Sequence, residues 1–504
     1  MFFGTNLLSE IFKIDIALLM ALGTFIGLAF GAIPGMTGSM AISMLLPLTF
    51  HLNPFQSIAL LIGVYKASMF AGAISAITFG MPGTPAAALD VLDGVPLREQ
   101  GDANKAIQIS LYASVLADVS SDVVLLYTAA PIAAFAIAFG TREMFGLLLL
   151  AFMMCIIFAQ KNPVKGIIAS ALGVTLAMIG TDEFYVHPRF AFGILHLQDG
   201  LELVPFVVGL FAFSEIFTRL IKILKDKYSK IVVEKFTLFS LKDKGGKNLT
   251  LKELLRCWRE IFIGTVAGTI MGALPGLGSA VGSFTSYAIS KRVSRNAEQF
   301  GKGALEGLAA AESGDSATVG ATFIPLFAFG IPGSAIAALF GVAFMAQGLT
   351  PGPALFKEHP DIMYALLYLI IYANLFHLVL GRMLIPFFAK LAYVSSDVLV
   401  PILTFFAVVG IYAYRGNPVD VVVMVLAGII GYFLVLHEFP LPSVIIGFIL
   451  GPMLEKYFRR GLLIGQGDIT FFFKSPIFNW LLLLTFLVCF FFYFMKPKKN
   501  KTTL

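Results

Sequence analysis

Charge is what this chain has least of. Across 504 residues, Asp, Glu, Lys and Arg make up 13%, about half the ~25% of an ordinary soluble domain. So few charges cannot cover a protein of this length in water. The composition therefore excludes a soluble enzyme, a disordered chain and a nucleic-acid binder. Cysteine is nearly as scarce. Cys155, Cys257 and Cys489 are odd in number and far apart, which leaves neither a disulfide framework nor metal-ligand spacing. The six histidines are scattered. There is no His-Glu-x-x-His pair and no Gly-x-x-x-x-Gly-Lys-Ser/Thr loop, so the motifs of a zinc hydrolase and of an ATP-driven pump are missing. The N-terminal MFFGTNLLSEIFKIDIALLM has no basic n-region and no small-residue cleavage site, and reads as mature protein. Ten-residue alternating segments are missing too, which argues against a membrane β-barrel.

What is present is apolar. Hydrophobic residues reach 58%, with 50 Phe and 48 Gly, and the mean hydropathy is +0.87. Abundant Gly suits membrane helices, because it lets backbones approach closely. With ~20 residues per crossing, the expectation is an all-α polytopic membrane protein of about 10–12 membrane segments. Apolar stretches fall near 14–33, 56–79, 106–139, 144–159, 164–180 and 201–224, then near 260–290, 317–350, 362–389, 397–413, 419–436, 441–454 and 477–495.

The one long polar segment, 222–259, holds eleven Lys/Arg against four Asp/Glu, and the C-terminus reads KPKKNK. Excess positive charge places both on the cytoplasmic side. The segment 181–200 carries acids and a single Arg and is expected outside. The +6 net charge is thus an orientation signal, with a contact to membrane lipid as the lesser reading.

Two motifs recur in the same order. GTFIGLAFGAIPG (23–35) matches GTVAGTIMGALPG (264–276), and FGMPGTPAAAL (79–89) matches FGIPGSAIAAL (329–339). The chain therefore divides into a first transmembrane repeat (1–221), a basic cytoplasmic linker (222–259), a second repeat (260–475), and a final helix with a basic tail (476–504). The flanks of the first motif, 1–13 and HLNPFQ (51–56), carry almost no positive charge. The flanks of its copy, the basic linker and KRVSRNAEQFGK (291–302), are rich in it. Hairpins entering from opposite sides would make this an inverted-topology repeat, as found in secondary transporters.

Each motif ends in Pro-Gly. Pro removes an N–H and clashes with the preceding turn, and Gly permits backbone angles other residues avoid. Backbone unwound at membrane depth must be buried or line a wet cavity. Small polar residues follow each break, in MTGSMAIS (36–43), TPAAA (84–88), LGSAVGS (277–283) and SAIAA (334–338). A half-helix starting there directs free N–H groups and a positive dipole end at an anion. The candidate substrate-binding residues are therefore Pro34, Gly35, Thr37, Gly38, Ser39, Gly83, Thr84, Pro275, Gly276, Gly278, Ser279, Gly333 and Ser334. The plainer reading is that their hydroxyls only cap their own helices. The GxxxGxxxG ladders ahead of two breaks (Gly23, Gly27, Gly31; Gly264, Gly268, Gly272) read as close helix packing.

Charges inside apolar stretches are the other signal, because each costs at least ~2.5 kcal/mol at the bilayer centre. Lys66 follows Tyr65, Asp118 and Asp122 share a helix face, and Glu312 and Asp315 precede the second-half break. Two readings stand. One is a structural Lys66–Asp118/Asp122 ion-pair cluster. The other is a Na⁺ or H⁺ coupling site at Asp118, Asp122 or Asp315. His377 and Asn374, near Arg382, are expected close to a helix end.

At GAIPGMTG, FGMPGTPAAALDVLDGVPLREQGDANKA, GALPGLGSAVG and EGLAAAESGDSATVGATFIPLFAFGIPGSAIAALFGVAFMAQGLTPGPALF, the chain resembles the large membrane subunit of the tripartite tricarboxylate transporters, the TctA family. The resemblance covers nearly the whole length. It implies an ion-gradient-driven secondary transporter importing organic dicarboxylates or tricarboxylates through a prokaryotic inner membrane by alternating access, possible as an elevator movement. It also implies two partners, a small four-helix membrane subunit and a periplasmic solute-binding protein. Family members usually carry Ala-Asn-Asn-Ala where this chain has Gly314, Asp315, Ser316 and Ala317, and Tyr-Gly-Gly near Phe70, Ala71 and Gly72. An acid and a hydroxyl in place of two amides change the charge of the site, and add Ser316 to the coupling-ion candidates. No cofactor, metal site or catalytic residue is expected. A channel, a stand-alone carrier for another small solute and an integral-membrane enzyme are the rival functions.

Overall fold

The computed structural model describes residues 11–33, 36–158, 163–182, 184–185, 187–229, 248–391 and 396–494. Lipid offers no partner to a peptide group, so a spanning chain satisfies its backbone internally, and helix is the local way to do so. Among the described residues, the strand content is one short antiparallel pair, Gly180–Thr181 with Pro188–Arg189. Seven described helices are long and apolar enough to cross a membrane, and further apolar helices of 10–17 residues accompany them. The chain is an all-α polytopic membrane protein.

The first half runs through α1 (Ile14–Ala32), α2 (Gly38–Thr49), α3 (Pro54–Phe79), α4 (Ala88–Glu99) and α5 (Ala103–Ile137). The second runs through α6 (Trp258–Ala273), α7 (Gly278–Val293), α8 (Leu305–Ala321), α9 (Phe323–Phe329), α10 (Ala335–Ala346) and α11 (Pro360–Leu391). The two halves are built alike. In each, the helix carrying the glycine ladder lies against a helix ahead of the second break, α1 on α3 and α6 on α8. The ladders explain the closeness. A Cβ at Gly27 would strike the Val64 backbone and lie 3.0 Å from Ala67 Cβ. One at Gly268 would strike the Gly314 carbonyl and lie 2.9 Å from Ala317 Cβ. The helices leading into the second breaks also stop alike. Gly80 (φ 69°) and Gly330 (φ 73°) are left-handed C-caps whose N–H groups donate to Ala76 O at 3.0 Å and Leu326 O at 2.9 Å.

Hydropathy missed several helices, α2, α4 and α8 among them. Residues 305–316 fell between apolar stretches, yet they form most of α8, whose positions Gly307–Ala321 are all buried. Its alanines, glycines and serines are too small and too polar to register as apolar. They suit a helix enclosed by other helices rather than by lipid.

The described residues fall into two compact units, one taking residues up to Ala134 with Glu202–His437, the other Phe135–Leu201 with residues from Glu438 onward. The first holds the duplicated motifs. Packing groups residues by contact, whereas the sequence halves are defined by recurrence, so the two divisions record different things. In the second unit, Thr141–Phe158, Pro163–Ala177, Leu441–Ile464 and Pro476–Phe494 pack together. The polar end of that unit is closed by ion pairs. Arg189 forks onto Glu455 at 2.8 and 3.0 Å and also pairs with Asp182, and Arg459 reaches Asp182 at 2.7 Å.

After the basic segment the chain is moored to the start of α5. Gln108 Oε1 accepts from Leu249 N at 3.0 Å, and Lys105 meets Glu253 at 2.8 Å. That ammonium, with the Thr250 N–H and hydroxyl, holds the Glu253 carboxyl down at about 2.

Candidate functional site

Described residues at or beside the four helix breaks come together in the first unit as a closed ring of contacts. The first and second touch where Gly83 packs on Gly31, leaving a Cβ on Gly83 only 2.8 Å from the Gly31 carbonyl. The second and third are joined by Ser283 Oγ donating to Ala86 O at 3.3 Å. Gly276 N donates to Gly333 O at 3.0 Å and joins the third to the fourth. Ile336 lies over Gly38, 3.7 Å from where its Cβ would stand, and returns the fourth to the first. Residues up to 300 positions apart in sequence thus share one locus.

Glycine is required at several of these points. Gly276 (φ 87°) and Gly278 (φ 66°) adopt left-handed backbone. Gly333 packs so tightly that a Cβ would lie 2.6 Å from Thr322 Oγ1. Pro34 and Gly35 lie outside the described residues; Pro275 is half-buried.

The hydroxyls divide their duties. Thr37 and Ser334 are N-caps, accepting from Met40 N at 3.3 Å and Ala337 N at 3.1 Å. Thr84 Oγ1 accepts from Ala87 N at 3.2 Å. Ser39 shares a hydrogen bond with Thr37 at 2.9 Å. Ser279 stands in the first turn of α7, beside Asp315. All five are only half-buried.

Beneath them lie three buried carboxyl groups, Asp90 on α4 and Glu312 and Asp315 on α8, none more than 2% exposed. Asp90 and Glu312 stand together across the two halves, one carboxyl group against the other. Asp90 Oδ1, Glu312 Oε2 and both Asp315 oxygens receive no well-formed hydrogen bond. The sequence reading named Asp315 as a coupling candidate, Glu312 only as its neighbour, and Asp90 not at all. Asp90 lies in a helix of low hydropathy, so no apolar run drew attention to it.

The second charged cluster is of a different kind. Lys66 Nζ, fully buried at the middle of α3, donates to Asp122 Oδ2 at 2.8 Å and lies 3.5 Å from Asp118 Oδ1. Asn374 Nδ2 donates to the same Asp122 oxygen at 2.6 Å, and His377 Nδ1 is 3.5 Å from Asp118 Oδ2. Here the expectation for α11 is corrected. Asn374 and His377 are not near a helix end but midway along Pro360–Leu391, buried against this cluster. Their spacing of three puts both on the face turned to α3 and α5. Ser316 ties the clusters' helices together through a 2.7 Å contact with Ser114 on α5.

Asp93 is a further residue the sequence did not reveal. Its Oδ1 accepts from the N–H groups of Gly301 (2.8 Å), Gly303 (3.0 Å) and Ala304 (2.8 Å), and its Oδ2 from the Tyr287 hydroxyl (2.9 Å). Four donors on one buried carboxylate fix α4 to the second half. A separate groove of about 830 Å³, walled by Leu116, Trp258, Phe262 and Ile270 among others, shares no residue with the breaks. Its walls suit an acyl chain, not a carboxylate.

An all-α membrane protein whose paired helix breaks close around buried carboxyl groups is of the transporter class. The chain belongs to the tripartite tricarboxylate transporter TctA family, whose model matches residues 17–446. It is a transporter subunit and not an enzyme. Over 465 residues it is 31% identical to an uncharacterized 52.8 kDa protein in the TAR-I ttuC' 3' region of Agrobacterium vitis, covering 90% of this chain and 88% of the relative. Over 210 residues it is 37% identical to an uncharacterized protein in the TAR-II ttuC' 3' region of the same organism, covering 42% of this chain and 87% of that relative. No solved structure matches it.

Proposed function

We propose that this chain is the permease subunit of a tripartite, ion-gradient-driven importer of organic dicarboxylates or tricarboxylates. The observation that carries the reading is the closure of four matched breaks into one ring, with half-buried hydroxyls and helix starts above buried carboxyl groups. The substrate's carboxylates are held by the free N–H groups and positive ends of α2, α7 and α10 and by Thr37, Ser39, Thr84, Ser279 and Ser334. Each helix start contributes an electrostatic pull of roughly half a charge. Gly38, Gly83, Pro275, Gly276, Gly278 and Gly333 shape the backbone beside the breaks and allow this approach. Na⁺ or H⁺ supplies the driving force, because a cation must offset the buried acids before an anion can settle near them.

The membrane is a prokaryotic inner membrane, with the 222–259 segment and the C-terminus on the cytoplasmic side. The two repeats, 1–221 and 260–475, are inverted relative to one another. Alternating access follows from the ring-bearing core moving against a scaffold, in an elevator movement. A small four-helix membrane subunit and a periplasmic solute-binding protein complete the system, the latter delivering the carboxylate.

The test is uptake into proteoliposomes containing the chain and both partners, over a panel of carboxylates, under separate Na⁺ and H⁺ gradients. Saturable uptake of a carboxylate that stops when the driving gradient is collapsed is the expected result. Unsaturable flux indifferent to either gradient would favour a channel, and no flux of any carboxylate would end the reading.

A further inference from the structure

The two buried clusters differ in charge balance. Around Asp118 and Asp122 a lysine, an asparagine and a histidine converge. Among the described residues, the charged neighbours of Asp90 and Glu312 are acidic. Asp93 and Glu312 act on Asp90; Asp90, Asp315 and Asp118 act on Glu312; Asp90 and Asp118 act on Asp315, with Ser279 as its polar neighbour. Tyr65, whose hydroxyl meets Ser334, faces Asp315 and Asp118 from α3. Asp93 is itself occupied by Tyr287 and three backbone N–H groups, and Lys66 is taken by Asp122 at 2.8 Å.

The pair is buried, each residue 1% exposed. Leu89 and Ala311, the chain neighbours of Asp90 and Glu312, share an apolar cluster with Tyr287, Phe300 and Ala304. Two carboxyl groups brought together in such a place repel each other if both ionise, and one hydrogen shared between them removes that cost. Among the described residues no set of three or more His, Cys, Asp or Glu has the arrangement to hold a metal ion. The buried, unsatisfied oxygens of Asp315 stand beside the pair as a further acceptor surface.

The geometry points to the Asp90–Glu312 pair as a proton-binding site, one proton held between a carboxyl group of each half, whose loading lowers the negative charge beneath the ring of helix starts. The site deepens the importer reading, since an anion enters the ring only after that charge is reduced. The proton-sharing itself does not depend on what is transported. When the proton leaves, the pair carries two negative charges and repels both itself and the bound anion. Proton release and substrate release are thereby coupled without contact between proton and substrate.

Infrared spectroscopy of the full chain in liposomes at neutral pH tests the site directly. The carbonyl stretch of a protonated carboxyl group is expected, shifting in D₂O. Glu312→Gln and Asp90→Asn should each remove it, because an amide then donates to the remaining carboxylate in place of the proton. The double variant should lose one carboxyl equivalent per chain, no more than either single. Circular dichroism monitors the folding of each variant; if one does not fold, the other carries the test. A band untouched by both single variants overturns the proposal. So does a band abolished by Na⁺ at constant pH, which would make this a sodium site. Absence of carboxylate uptake with the band behaving as expected would count against the importer reading alone.

Discussion

At the scale of single residues, a buried charge needs a partner, and this protein solves that need in two ways. Lys66 and Asp122 answer each other at 2.8 Å with both side chains fully buried. Removing one member of such a pair is costlier than removing both, because a lone buried charge is left behind. Lys66→Met should therefore destabilise the protein by about 3–5 kcal/mol. The double variant Lys66→Met/Asp122→Asn should recover much of that loss, read as thermal unfolding in detergent. A Lys66→Met protein as stable as wild type would show that the pair does not hold α3 to α5. The sequence made both members visible, since a lysine and two aspartates interrupt apolar runs. It singled out His377 and Asn374 but placed them near a helix end, because their partners lie more than 250 positions away. It did not reveal Asp93, whose four donors lie 194 to 211 positions away.

At the scale of helices, the glycine ladders decide how near two backbones come. Gly268 leaves no room for a side chain against Gly314 and Ala317, and Gly27 stands in the matching place against Val64 and Ala67. Gly268→Leu and Gly27→Leu should each force α6 from α8 or α1 from α3, at about 1–3 kcal/mol or more. The measurement is midpoint temperature by differential scanning fluorimetry. Equal stability of wild type and Gly268→Leu would mean the contact is looser than the geometry requires. The ladders were legible because a repeat every four residues lies on one helix face. Helix α8 was not legible as a buried element. Hydropathy sums what a side chain prefers against water, and α8 is chosen for what fits between other helices.

At the scale of the whole molecule, the two halves exchange equivalent contacts. Asp93 on α4 takes the N–H groups of the loop between α7 and α8. Gln347, at the end of α10, donates to Thr49 O at 2.6 Å and Leu52 O at 3.2 Å in the loop between α2 and α3. Each half's helix after its second break thus grips the other half's loop. The inverted arrangement proposed above makes those two loops face opposite sides of the membrane. In a background where Cys155, Cys257 and Cys489 are replaced, His51→Cys should react with a membrane-impermeant thiol reagent in intact cells. Ser294→Cys should react only after permeabilisation. Both sites reacting from one side would rule the inversion out.

The sequence alone determined the membrane class, the helical architecture, the recurrence of the two motifs and the places where helices break. Each follows from local composition, from Pro-Gly chemistry, or from comparing the chain with itself. The tertiary structure decided which of those breaks meet, which buried acid has a lysine and which has only other acids. Those are relations between residues from about fifty to about three hundred positions apart. No local pattern carries them, because helix packing sets who faces whom, and burial then sets what each charge must find.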